Sequence, residues 1–110
     1  MAFDEELVER IRGVLVDEPD LTEKKMFGGL GFMLEGNMAV AASSRGGLMV
    51  RIDPEETELL TARPGAERME MKGRSMNGWL HIDGAALESD EVLHDWVAIG
   101  LDFAGTLPPK

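Results

Sequence analysis

Phe32-Met33-Leu34-Glu35-Gly36-Asn37-Met38-Ala39-Val40-Ala41-Ala42 is the stretch that decides the fold. The apolar runs Phe32–Leu34 and Met38–Ala42 flank Gly36-Asn37. Turn residues of this kind between two such runs signal a β-hairpin, because tight turns need left-handed backbone that Gly and Asn adopt cheaply. Working outward, Ser43-Ser44-Arg45-Gly46-Gly47 makes the next turn and leads into a third strand, Leu48–Ile52. Asp53 at an N-cap, Pro54 at the first helical position and Glu56 at the third open a short helix that runs to Ala62. Arg63-Pro64-Gly65 breaks it, and Arg68–Lys72 and Trp79–Ile82 read as two more strands around the loop Gly73–Gly78.

Both ends of the chain have the 3.6-residue period of amphipathic helices. Over residues 4–16, Leu7, Ile11, Val14 and Leu15 form one stripe behind Phe3, with Asp4 as N-cap and Glu5 and Glu6 in the first turn. Glu6 is placed to pair with Arg10 four residues on. At the other end Ser89 is the N-cap, Asp90 and Glu91 follow, and Leu93, Trp96, Ile99 or Gly100, Phe103 and Leu107 form the stripe before Pro108 and Pro109. The expected order is α-β-β-β-α-β-β-α. That is a two-layer α+β domain spanning residues 1–110, its antiparallel sheet carrying the helices on one face.

Composition narrows the function. The chain has 110 residues and a formal net charge of −10. Residues 1–23 carry eight acids and two bases, residues 24–74 seven acids and eight bases, and residues 75–110 six acids and one base. The acid therefore belongs to the two end helices, and the central sheet region is nearly neutral. Affinity for nucleic acid comes mostly from cations neutralising phosphates, so binding to DNA or RNA is not expected of this chain on its own. Cysteine is absent, which excludes disulfides, thiolate chemistry and Cys-ligated metals and suits a reducing cytoplasm. Neither a signal peptide nor a membrane-spanning apolar run is read in the sequence.

The motifs that invite a chemical reading do not assemble one. Gly28-Gly29-Leu30-Gly31 runs into apolar residues and a hairpin rather than a helix, so it reads as a bulge or tight strand entry and not a phosphate loop. His81 and His94 lack partners at metal-ligand spacing, and Asp90 four residues before His94 offers an ordinary helical pair. Ser43, Ser44 and Ser75 have no recognisable base. No catalytic, cofactor-binding or metal-binding residue is assigned, no cofactor is expected, and the chain is not read as an enzyme. Besides Met1, the methionines Met26, Met33, Met38, Met49, Met69, Met71 and Met76 all fall in the sheet region. They read first as core filling, with an adaptable binding face as the alternative. Strand alternation puts Leu48, Val50 and Ile52 on one face with Leu80 and Ile82, leaving Met49, Arg51, Trp79 and His81 on the other. With Lys72 and Arg74 in the adjoining loop, these four make the candidate interaction surface.

Four stretches together resemble the TfoX/Sxy N-terminal domain: Lys25-Met-Phe-Gly-Gly-Leu-Gly-Phe-Met-Leu-Glu-Gly-Asn-Met38, Leu48-Met-Val-Arg-Ile-Asp-Pro54, Met69-Glu-Met-Lys-Gly-Arg-Ser-Met-Asn-Gly-Trp-Leu80, and the ending from Trp96-Val97 through Phe103-Ala104 to Leu107-Pro-Pro-Lys110. The likeness covers almost the whole chain and includes Phe27, Gly28, Gly29, Arg51, Pro54, Lys72, Gly73, Arg74 and Trp79. It implies a secretion-chaperone-like α+β fold and a bacterial, cytoplasmic regulator without catalytic residues. Named members are positive regulators of natural competence thought to act with the cyclic-AMP receptor protein, and they carry a second, C-terminal TfoX domain. The expectation is thus a stand-alone, non-enzymatic adaptor in transcription regulation that binds a protein partner or itself, as a homodimer. The alternatives are direct nucleic-acid contact through Arg45, Arg68, Lys72 and Arg74, and a small-molecule site at His81 with Asp83 or Arg51.

Overall fold

Asp4 opens the first helix as its spacing requires: its carboxylate accepts from the Glu6 and Leu7 amides at 3.0 and 3.2 Å. The computed structural model describes residues 4–26, 28–44, 46–71 and 73–109, and at 26, 71 and 74–77 the backbone alone. Phe3, Phe27, Arg45 and Lys72 lie outside the described residues. Helix α1 spans Glu5–Val14 and buries Leu7, Val8 and Ile11. Helix α2 is short, Thr57–Thr61, behind a 3-10 turn at Pro54–Glu56 that Asp53 caps through the Glu55 amide at 2.9 Å. Helix α3, Asp90–Ala104, starts at Ser89, whose side chain makes no capping hydrogen bond. It ends at Ala104, so Leu107 lies in the turn beyond it.

Six strands form one antiparallel sheet: β1 Leu21–Met26, β2 Gly29–Leu34, β3 Asn37–Ala42, β4 Leu48–Arg51, β5 Ala66–Met71 and β6 Arg74–Ile82. Their order is β1-β2-β3-β4-β6-β5, with β1 and β5 at the edges. The β2–β3 hairpin turns at Glu35 and Gly36, both with positive φ (50° and 87°), one residue earlier than Gly36-Asn37. Asn37 instead opens β3, is buried, and donates through Nδ2 to the Pro108 carbonyl at 2.9 Å. The α+β class, the single antiparallel sheet and the placement of the helices agree with the sequence reading, and β1 is an additional strand ahead of those read there.

Alternation decides the two faces. Register aligns Leu30 with Ala42, Phe32 with Val40, Val40 with Val50, Ala42 with Leu48, and Leu48 and Val50 with Ile82 and Leu80. All of these belong to one buried cluster with Leu7, Val8 and Ile11 of α1, Leu60 of α2 and Leu93, Trp96 and Val97 of α3. The helices thus share one face, and burial of their apolar stripes there drives the layering. Gly100 lets α3 approach β3 closely: a Cβ there would stand 2.5 Å from the Ala39 carbonyl oxygen.

Two arginines tie α1 down. Arg10 does not pair with Glu6; its guanidinium donates to the Leu87 carbonyl at 2.6 Å and to Asp90 at 3.1 Å, bridging α1 to the start of α3. That engages the carboxylate expected to serve His94. Arg12 makes a two-pronged contact with Glu23 of β1, both bonds 2.8 Å, and also reaches Glu9. The hydrogen bonds Arg12 donates hold the Glu23 carboxyl below its ordinary pKa, and donating to Glu23 and then to Glu9 holds Arg12 above its own.

Candidate functional site

The face away from the helices is continuous across the sheet. Register lines up Lys24, Gly31, Ala41, Met49, His81 and Glu67, one residue from each of the six strands. Next to this row, Met33 faces Met38 across a bulge in β2–β3, and Arg51 faces Trp79. Met33, Met38, Met49, Arg51, Trp79 and His81 are all half-buried. Gly31 makes room for the methionines, since a Cβ there would meet Met38 Cε at 2.8 Å and Met33 Sδ at 3.7 Å. The core cluster contains none of the described methionines; it is built from Leu, Ile, Val, Ala, Phe and Trp. Met33, Met38 and Met49 line the other face, while Met69 of β5 is buried.

Arg51 stands between two aromatic rings. Its guanidinium carbon is 5.2 Å from the Trp79 ring centroid and 5.6 Å from that of Phe103 on α3. Such stacking on a π face is favourable by about 0.5–1 kcal/mol at exposed sites and more when water is excluded. Its Nε is buried without a hydrogen-bond partner among the described residues. Gly78 packs beneath it at φ +85°, where an added Cβ would lie 3.9 Å from that nitrogen and 3.3 Å from the Ile52 carbonyl oxygen. Arg51 is thus a half-buried cation with, among the described residues, no carboxylate within ion-pair distance.

His81 is occupied structurally. One ring nitrogen, Nε2, is 3.0 Å from the Gly46 carbonyl, and Nδ1 is 3.8 Å from Glu67. Gly47, at φ +81°, packs against the same ring; a Cβ there would come within 3.0 Å of it and 2.4 Å of the Ile82 carbonyl. The imidazole therefore braces the β3–β4 loop. A cleft of about 420 Å³ does bring His81 and Asp83 together with Gly65, Ala66 and Glu67. The Asp83 carboxylate, however, caps the following turn through the Ala85 amide at 3.1 Å, and no hydroxyl or thiol side chain among the described residues lines the cleft.

The remaining surface residues separate. Arg74 opens β6 opposite Met71, with its backbone alone described, and Lys72 is outside the described residues. Arg68 lines a cleft on the helix side together with Pro54, Glu55, Thr57 and Glu58. Among the described residues no group of three or more His, Asp and Glu is arranged to hold a metal ion, and no helix is long and apolar enough to cross a membrane.

A family model, the TfoX N-terminal domain, matches residues 14–104. The chain belongs to that family. The match runs from the end of α1 to the last residue of α3 and so takes in the whole sheet of this TfoX N-terminal domain. No curated protein and no solved structure matches the chain. The family is not one of known enzymes. Sequence reasoning on this TfoX N-terminal domain missed Phe103 as the second ring on Arg51. Phe103 sits in the helical stripe that reads as core, and nothing local signals that its ring is shared with a strand arginine.

Proposed function

We propose that the chain is a non-enzymatic regulatory adaptor that binds a protein, or a second copy of itself, through the helix-free face of its sheet. One observation carries the reading: Met33, Met38, Met49 and Trp79 lie side by side on that face, around an arginine held between two rings. Methionine adapts its shape to a partner, and Trp and Arg are the residues most often found at the energetic centre of interfaces. Family membership supports a role in bacterial transcription regulation of the competence type, in the cytoplasm. The net charge of −10 and the acidic surroundings of Arg68 weigh against nucleic acid as the direct ligand.

The test is capture of the co-purifying partner from the source cell, identified by mass spectrometry, and sedimentation of the isolated chain, each repeated with Trp79→Ala and Arg51→Glu. Folding of both variants is checked by circular dichroism. Loss of the partner or of the dimer in folded variants is the expected result. Unchanged behaviour of both variants in both assays sinks the proposal.

A further inference from the structure

A second surface lies on the helical side, away from the sheet face. Between α2 and the C-terminal half of α3 runs a groove of about 380 Å³, with Leu59, Leu60, Ile99 and Phe103 along it and Glu56 and Asp102 at its rim. Leu59 is 73% exposed, and with Val16 it is one of two large hydrophobic residues left in solvent among the described residues. An isolated exposed leucine needs no explanation. This one borders a concave strip whose other apolar members are half-buried Ile99, half-buried Phe103 and buried Leu60. Glu56 and Asp102 are exposed and, among the described residues, have no cation within ion-pair distance. Asp53 adds a third carboxylate, and Arg63, also in the groove, is turned onto the Trp96 ring at 5.3 Å.

We infer that this groove docks a short basic amphipathic protein segment. An apolar side chain of that segment lies against Leu59, Ile99 and Phe103, and Lys or Arg side chains on either side face Glu56 and Asp102. Charge selects this occupant. The rim is acidic, and the −10 of the whole chain draws cationic segments in and repels acidic ones. The apolar strip then supplies what electrostatics alone cannot, a fixed register. The groove meets the sheet-face site at Phe103, whose ring also stacks on Arg51, so the variants that test it, at Glu56, Leu59 and Asp102, leave Arg51 and Trp79 in place.

The experiment uses the full chain, isotopically labelled, titrated in NMR with a short synthetic Lys/Leu amphipathic peptide and with its Glu/Leu counterpart. The expected result is shifts concentrated at Leu59, Ile99, Asp102 and Thr106 with the basic peptide and none with the acidic one. Glu56→Lys with Asp102→Lys weakens binding by about tenfold or more, and Leu59→Ala by about tenfold, the effect of losing most of a leucine's apolar contact. All three positions are exposed, so the variants fold, which thermal melts verify. The charge-matched control, Glu88→Lys with Glu91→Lys, stays within about twofold of wild type, a difference under about 0.5 kcal/mol. Absence of shifts, shifts spread evenly over the acidic helices, or an equal loss in the control each overturns the inference.

Discussion

Replacing Gly100 with alanine should destabilise the protein, although the same change in an ordinary helix stabilises it. Alanine in a helix interior is favoured over glycine by about 0.8–1 kcal/mol. At position 100 the new methyl would sit 2.5 Å from the Ala39 carbonyl oxygen, 2.8 Å from Val40 Cγ1 and 3.1 Å from the Ala39 carbonyl carbon. Ordinary contact begins near 3.4 Å, so α3 must lift from β3 by most of an ångström. The obstacle is strand backbone beside a bulge and cannot swing aside as a side chain would. Lifting α3 loosens Trp96 and Val97, both essentially inaccessible to solvent. Overpacking of this kind costs about 1–3 kcal/mol, which after the propensity gain leaves a net loss of up to about 2 kcal/mol. For a domain of this size that lowers Tm by up to about 12 °C. Gly13 of α1 is the internal control, because a Cβ there meets nothing within 4 Å. Gly13→Ala should raise Tm by a few degrees, propensity acting alone. Calorimetry or a circular-dichroism melt of the two variants reads the signs. If Gly100→Ala raises Tm as Gly13→Ala does, the close helix–strand contact is not present.

Two further outcomes concern the ties between elements. Because Arg12 lowers the folded-state pKa of Glu23, this contact stabilises the protein above the unfolded carboxyl value, near about 4.3, and the contribution is lost as pH falls through the lower folded value. Glu23→Gln should therefore be less stable than wild type at neutral pH, with the gap closing as pH falls through the lowered folded-state value; melts showing a gap that does not shrink on acidification would exclude the tie. Asn37→Ala removes the donor to the Pro108 carbonyl, costing about 1 kcal/mol, and should speed amide hydrogen exchange at Gly105, Thr106 and Leu107. Unchanged exchange there would show that the side chain does not hold the tail.

What was legible depended on how local each signal is. Asp4, Asp53 and the β2–β3 turn act within a few residues of themselves, so chain order displays them, although the turn reads one residue late, at Gly36-Asn37 instead of Glu35–Gly36. Strand alternation then sorted Leu48, Val50, Leu80 and Ile82 from Met49, Arg51, Trp79 and His81, because a period of two survives whatever the neighbours are. Strand β1 was missed for a physical reason: Leu21-Thr22-Glu23-Lys24-Lys25 lies at the sheet edge with one flank in water, and burial imposes no apolar pattern on it. Arg10 was paired with the wrong acid because its true partners, Leu87 and Asp90, are about eighty positions away. The rings around Arg51 and the carbonyl beside His81 come from three separate segments, and only the folded chain brings them together.

The two outer strands set a limit on how copies of this molecule can associate. One margin presents exposed Glu23, Lys24 and Lys25, the other exposed Glu67, Arg68 and Glu70. A strand arriving in the plane of the sheet would have to align its own backbone beside side chains of both signs, which is how natural sheets refuse lateral extension. In-plane polymerisation is thereby discouraged at both margins, and contact through the broad surface remains. A pairing of that kind would use up the surface that makes it, and so would close on itself instead of lengthening into filaments.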